Sequence, residues 1–347
     1  MKIIDLRSDT VSHPTPEMRE AMAIAEVGDD VFGDDPTVNR LQELAAERMG
    51  KEAGLFVASG TMGNLIAVLA HCQRGDEAIM GTQAHTVNYE QGGISALGGV
   101  FPHTIPNLSD GTLRLEDIEA AIRGEDVHFS VSRMIILENT QNRCGGVVLT
   151  VEYTRQVAEL AKRHSLQLHI DGARIFNAAA ALKADVLELC RPADSITFCL
   201  SKGLCAPVGS VLCGTKDFIY RARRLRKQLG GGMRQVGVLA AAGIIALEKM
   251  SLRLSEDHTH ARQLAEGLAN IPGLELDFGL PASNMVFASL KSSVHQNAKD
   301  ITDLLANDGI RVGVVAERRI RLVTHFWITD EAVNRTLSAF SRVLKTV

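Results

Sequence analysis

The chain has 347 residues, 46% of them hydrophobic and 22% charged, with a formal net charge of −4. That length can bury one large core, or one large core and a smaller satellite. The mild negative charge and the lack of a basic stripe interleaved with aromatics argue against nucleic acid or an acidic membrane as partner, which leaves a soluble protein acting on small molecules.

Residues 1–7 lack the continuous apolar stretch of a secretory signal. The longest nearly apolar run, residues 236–247, falls well short of the roughly 20 residues that cross a bilayer. Six cysteines (Cys72, Cys144, Cys190, Cys199, Cys205, Cys213) form no CxxC pair and no metal-finger spacing. They read as reduced thiols of a cytoplasmic protein, and no metal ligand set is expected.

In chain order, residues 36–49 have helical apolar spacing, with Leu41, Leu44 and Ala45 on one face. A short apolar strand at 55–58 leads through a Gly-containing turn into a helix over 62–73. Short buried strands follow at 77–81, 134–137, 166–170, 196–200 and 208–213, with helical stretches such as 151–164 between several of them. Apolar strands separated by helices predict a mostly parallel sheet covered on both faces. After a long helical segment, 233–250, the texture changes. Helices at 255–270 and 295–307 alternate with strands at 274–277, 285–290, 310–315 and 320–323. The expectation is an α/β chain in which residues 1–250 form an N-terminal arm plus a large domain, and residues 251–347 a small C-terminal α+β domain.

Three segments at predicted strand ends carry the chemistry. Ser59-Gly60-Thr61-Met62-Gly63-Asn64 joins a strand to a helix. Gly60 permits close approach, and the amides of Thr61 and Met62 at a helix N-terminus suit a phosphate. An ordinary capped turn has the same pattern, and neither GxxxxGK[ST] nor GxGxxG is present. In Leu168-His169-Ile170-Asp171-Gly172-Ala173-Arg174, Asp171 closes an apolar strand. It either holds a protonated pyridine nitrogen or caps the next helix, and Arg174 offers a fork-shaped donor for a carboxylate. In Ser201-Lys202-Gly203-Leu204, Lys202 follows an apolar strand. It is either a desolvated amine poised to form an imine or a lysine that snorkels to water. The order phosphate loop, Asp strand, Lys strand is more specific than any one piece, and resembles the layout of the aspartate-aminotransferase-like fold of pyridoxal 5'-phosphate (PLP) enzymes.

A longer set of segments narrows this. DLRSDTVSHPTPEM (5–18), VGDDVFGDDPTVNRLQ (27–42), SGTMGN, AHTVNYEQGG (84–93), LENTQN (137–142), HIDGARIFNAA, SKGL, APVGSVL, LGGGMRQ (229–235) and RLVTH (321–325) resemble low-specificity L-threonine aldolases across nearly the full length. The resemblance implies the PLP-dependent transferase fold. It also implies a carbon–carbon lyase that cleaves L-threonine, L-allo-threonine and other β-hydroxy amino acids to glycine and an aldehyde, in a homotetramer built from dimers.

Residue by residue, the resemblance implies that Lys202 carries the cofactor, Asp171 binds its ring nitrogen and His85 stacks on the ring. Gly60, Thr61 and Met62 contact the phosphate, and Arg234 reaches the phosphate of a neighbouring subunit. Ser8, Arg174 and Arg321 hold the substrate carboxylate. His85, His128 or a water positioned by them accepts the hydroxyl proton. Glu138 supports the site through hydrogen bonds, and Tyr89 lines the pocket or a subunit interface. Two positions depart from the pattern: Gln141 replaces a histidine, and Cys205 replaces a glycine, which strains the chain if φ is positive there. β-Elimination, transamination or a non-catalytic PLP-binding role are the alternative readings.

Overall fold

The computed structural model describes residues 3–345. Strand β1 (Ile4–Asp5) precedes a large sheet of β2 (Ala53–Val57), β3 (Glu77–Gly81), β4 (Phe101–Ile105), β5 (Ser132–Glu138), β6 (Gln167–Asp171), β7 (Ser195–Cys199) and β8 (Ser210–Gly214). Their order is β2-β8-β7-β6-β5-β3-β4. Strand β8 runs antiparallel to both neighbours, and the other pairings are parallel. The chain is therefore α/β with a mostly parallel sheet. Every residue of β3, β7 and β8 is buried, as expected of strands covered by helices on both faces.

Strand β4 is not predicted from the sequence because it carries the marks of an edge. Phe101 is exposed, Pro102 donates no backbone hydrogen bond, and only β3 pairs with it. The predicted 233–250 helix shortens to Gly237–Glu248. The Asp35 carboxylate takes the Gly237 amide at 2.8 Å and fixes where the helix begins. The same Asp35 accepts from the Val38 amide and caps the helix Pro36–Met49, which ends on Gly50 in the left-handed conformation. That helix buries Leu41, Leu44 and Ala45 as the sequence predicts.

Two main clusters of apolar side chains are buried. The first draws on residues between Met18 and Leu254, and the second on residues between Ala261 and Val343, together with Ile4 and Leu6. The second surrounds an antiparallel sheet of β9 (Leu274–Leu276), β10 (Met285–Leu290), β12 (Gly313–Ala316) and β13 (Arg319–Val323), in the order β12-β13-β10-β9. The predicted strand 310–315 is interrupted at Val312, and its first half, β11 (Ile310–Arg311), pairs in parallel with β1. The start of the chain therefore packs with the second cluster rather than the first. Ile4 and Leu6, two residues apart, share the buried face of one strand. The C-terminal helix Asp330–Lys345, to which the sequence reading assigned nothing, covers this cluster with Val333, Phe340 and Val343.

One buried ion pair ties these parts together. Arg174 donates from Nε to Asp9 Oδ2 at 2.7 Å and from Nη2 to Oδ1 at 2.5 Å. Asn284, just before β10, donates to the same carboxylate at 3.3 Å. Burial alone would raise the Asp9 carboxyl, but the Arg174 guanidinium outweighs it and holds the group at about 2. Stability from this depressed value is present above the ordinary 3.8 and is lost as pH falls through 3.8 towards 2.

Two outcomes follow. Asp9→Asn leaves Arg174 buried without its anion and lowers unfolding free energy by about 3–5 kcal/mol at neutral pH. The gap in urea midpoint between variant and wild type narrows as pH falls through 3.8. In Gly63→Ala the new Cβ meets Thr197 Cγ2 at 2.5 Å and Oγ1 at 2.9 Å. Thermal denaturation is expected to show a loss of about 2 kcal/mol from that overpacking.

Candidate active site

The carboxyl ends of the parallel strands lie along one edge of the sheet, so the turns that follow them converge there. Strand β2 delivers Ser59 and Gly60, β3 leads to His85, β5 ends on Glu138, β6 on Asp171, and β7 leads into Lys202. Register fixes their lateral placement, because Glu138 aligns with Asp171 and Asp171 with Thr197.

The phosphate-type turn forms a true helix N-terminus. Helix Gly60–His71 starts at Ser59, whose Oγ accepts from the Met62 amide at 3.1 Å. Met62 is thus capped from within the chain, and the amides of Gly60 and Thr61 are the first-turn donors left facing outward. A Cβ on Gly60 would lie 2.9 Å from Cys199 Sγ, so glycine lets this turn rest against the end of β7. Gly231 lies over Met62, where a Cβ would approach Sδ at 2.6 Å. The triple-glycine run therefore packs beside the same helix start. Arg234, three residues on, is exposed and donates to Asp29 Oδ2 at 2.9 Å within its own chain.

Around Asp171 the chain buries a dense polar group. Asn64 Nδ2 donates to Asp171 Oδ2 at 2.9 Å and to Glu90 Oε1 at 2.8 Å. The Ala173 amide donates to Asp171 Oδ1 at 3.1 Å. His85 Nδ1 meets Glu90 Oε1 at 2.8 Å, and the His85 amide donates to Glu138 Oε2 at 2.8 Å. Donor atoms of His85, Glu90 and Asp171 lie within 4.8 Å of one another. Asn64 and Glu90 carry no role in the sequence reading. Their signal was faint: a lone amide in an otherwise apolar helix, and an acid five residues after the histidine.

Charge is crowded here. Burial raises the Glu138 carboxyl to about 7, Asp171 adds to the rise, and the amides of Asn142 and His85 oppose it. Burial also raises Glu90, with Asp171 again adding and the His85 bond opposing. For His85, burial works against the imidazolium, but the Glu90 bond and the Asp171 charge outweigh it and the ring titrates above the ordinary histidine value. The Lys202 charge is felt at both Asp9 and His85. The turn carrying Lys202 is closed by Cys205 N donating to Lys202 O at 2.9 Å and by Ser12 Oγ donating to the same oxygen at 2.8 Å. Cys205 adopts φ 64, the positive value at which its departure from glycine is strained.

Arg321 projects from β13 to the same edge. Its Nη1 donates to Asn142 Oδ1 at 2.9 Å and its Nη2 to the Arg7 carbonyl at 3.2 Å, while Nε is buried without a partner. Burial and the nearby Arg174 lower its pKa. Ser8 caps the short helical turn Asp9–Val11 beside the Asp9–Arg174 pair. Gln141 binds Glu138 Oε2 at 3.3 Å and the Gln83 carbonyl at 3.0 Å. His128 is not brought to the cluster within one chain. It lies in the exposed loop before β5, bonded to Asp126 at 2.6 Å. The length of β5, about 20 Å at 3.3 Å per residue, separates it from Glu138.

This edge is where comparison with known proteins applies. Residues 5–291 match the model of the family described as beta-eliminating lyase. Low-specificity L-threonine aldolase 1 of Arabidopsis thaliana is 50% identical over 350 residues, covering 100% of this chain and 98% of the relative. Low specificity L-threonine aldolase of Escherichia coli K12 is 46% identical over 329 residues, covering 95% and 96%. Among solved structures, Leishmania major threonine aldolase superposes with a TM-score of 0.82 at 24% identity, covering 97% of this chain and 98% of that one. With a family match over most of its length and full-length relatives at this identity, the chain belongs to the beta-eliminating lyase family.

Proposed function

We propose that the protein is a PLP-dependent threonine aldolase that cleaves L-threonine, L-allo-threonine and other β-hydroxy amino acids to glycine and the matching aldehyde. The observation that carries this is the convergence of Lys202, Asp171, His85 and the Gly60 helix start on one edge of the sheet, with Arg321 facing them from β13. Relatives named low-specificity L-threonine aldolase at 46–50% identity support it.

The donor set fits the cofactor. Lys202 supplies the amine that holds it, Asp171 a carboxylate for its ring nitrogen, and the Gly60 and Thr61 amides a cradle for its phosphate, with Met62 behind them. The buried oxygens Thr197 Oγ1 and Glu90 Oε2 have no hydrogen-bond partner among the described residues. When bound, PLP supplies the electron sink for the pair left when the Cα–Cβ bond breaks.

The chain's own residues then do the rest. Arg321, with its unpartnered Nε, grips the substrate carboxylate. Arg174 and Ser8 line the same place, with Arg174 aimed by Asp9. Fixing the carboxylate would orient the substrate and so decide which Cα bond is presented for cleavage. His85 has Nδ1 tied to Glu90, so Nε2 is the atom that exchanges a proton with the β-hydroxyl, directly or through one water. Glu90 and Asp171 make that ring more basic, which suits the task. Glu138 positions His85 through its backbone amide. His128, at the far edge of its own sheet, serves in this reading only a neighbouring copy's site, and exposed Arg234 likewise reaches a neighbour's phosphate.

We take the assembly to be a homotetramer of paired dimers; the exposed Phe32, Val127 and Tyr220 fit surfaces that other copies cover. Residues 1–250 and 251–347 are read as the two domains, with β1 docked on the second. The protein is assigned to the cytoplasm, and no helix among the described residues is long and apolar enough to cross a membrane.

Wild-type protein given L-threonine, alcohol dehydrogenase and NADH is expected to consume NADH as acetaldehyde forms. Lys202→Ala should lose both this activity and the visible cofactor band, and full turnover in that variant overturns the reading. Arg321→Leu should keep the band but raise KM for threonine by about 10- to 100-fold, the worth of one or two charge-assisted hydrogen bonds.

A further inference from the structure

Behind Asp171, on the side away from the substrate groups, a chain of polar side chains runs through the layer between the helix Gly60–His71 and the sheet. Asn64 Oδ1 meets His169 Nε2 at 3.3 Å. His169 Nδ1 meets Ser195 Oγ at 2.8 Å, and Ser195 Oγ meets His71 Nε2 at 2.8 Å. His169 and Ser195 are register partners on β6 and β7. Asn64 and His71 stand seven residues apart on one helix face. Asn64, His169 and Ser195 are buried. Nothing in the proton transfer or carboxylate grip described above uses this chain.

The chemistry of its end fixes the direction of every bond. Asn64 Nδ2 faces two carboxylates, so it is the donor there, and Oδ1 is the acceptor on the other side. His169 must then donate from Nε2. Burial depresses its pKa to about 3, and the neighbouring His71 adds to this, so the ring is neutral and Nδ1 is an acceptor. Ser195 therefore donates to Nδ1 and accepts from His71 Nε2. Burial and Arg221 lower His71 to about 4, so it too is neutral, with its proton on Nε2. All four donors point towards Asp171. A chain aligned in one sense polarises each successive bond and strengthens the last one.

We infer that His169, with Ser195 and His71 behind it, is a positioning relay that holds the Asn64 amide against Asp171 and so helps keep the proton on the cofactor's ring nitrogen. The inference rests on the reading of Asp171 as the ring-nitrogen partner. His169 touches neither substrate nor cofactor. Its effect passes through Asn64, whose amide without the His169 donor is held only by its Nδ2 bonds to Glu90 and Asp171 and loses the third contact that fixes its plane.

The test uses holoenzyme reconstituted with PLP labelled with 15N in the ring, because the nitrogen chemical shift reports directly whether that atom is protonated. Wild type is expected at the protonated end. His169→Leu should move the signal towards the unprotonated end and lower kcat about fivefold, the loss of roughly one orienting hydrogen bond, with KM for threonine unchanged. His169→Gln, which keeps a donor facing Asn64, should restore both. Ser195→Ala, a small substitution that serves if His169→Leu does not fold, should move the signal the same way by less. A wild-type nitrogen shift in His169→Leu, or in Ser195→Ala where the former is unfolded, overturns the relay even if kcat falls. Asp171→Asn is measured alongside. If it leaves the nitrogen protonated, the reading of Asp171 itself fails. If it moves the signal while the relay variants do not, only the relay fails.

Discussion

Burying negative charge is the constraint around which this molecule is arranged. Glu90, Glu138 and Asp171 are all buried in one polar cluster, and like carboxylates at close range oppose one another's ionisation. The chain meets the demand with donors: the amides of His85, Asn142 and Ala173, the side chain of Asn64, and the imidazole of His85. These are not enough, since Glu138 is still raised to about 7 and Glu90 is raised as well. In the proposed reading, a protonated pyridine nitrogen against Asp171 would supply the cation that this balance lacks, and a neutral ring would leave the cluster over-supplied with carboxylates.

Holding those groups at one edge depends on the sheet. Six strands deliver their carboxyl ends together, and the reversed strand β8 lets the chain double back directly after the lysine turn. That turn is tightly specified: Leu200 N bonds Gly209 O at 3.0 Å, Ala206 N bonds Leu200 O at 3.1 Å, and Ser12 holds the Lys202 carbonyl. Cys205 at φ 64 is the cost, of order 1 kcal/mol for a non-glycine residue in that region. It is tolerated because its own amide and that of Ala206 are bonded and its side chain is buried. The departure from glycine visible in the sequence therefore places a side chain where the backbone is strained.

What the sequence disclosed follows from the range of the interactions involved. Buried strands announce themselves as local apolar runs, and Asp171 and Lys202 could be found because each stands where such a run stops. Strand β4 could not, because an edge strand with Pro102 and an exposed Phe101 lacks that local pattern. The pairing of β1 was not legible either, because its partner, β11, lies some three hundred residues away in sequence. The same holds within the site. Asn64 and Asp9 matter through partners as far as 107 and 165 residues away, which no spacing rule reveals, and Glu90, five residues from His85, lies in no apolar run that would mark it. His128 and Arg234 show the converse, since a motif marks them and a single chain gives them no place at the cluster.

The two arginines differ in a way that bears on how the substrate is held. Arg174 is satisfied by Asp9, so its positive charge is already balanced before any ligand arrives, and what it offers is direction. Arg321 is bonded only to neutral oxygens, of Asn142 and Arg7, and keeps an unpartnered buried Nε. Its charge is the uncompensated one, and a single carboxylate neutralises it. Arg321 stands on β13, in the sheet of the second core, while Asn142 follows β5 in the sheet of the first. A carboxylate bound there is therefore gripped across the junction of the two cores. Its position relative to Lys202 is set by the Asp9–Arg174–Asn284 contacts that join them. In the proposed reading, the placement of that carboxylate would decide which Cα bond is presented for cleavage, so the choice of reaction would rest on an ion pair that never needs to touch the bond being broken.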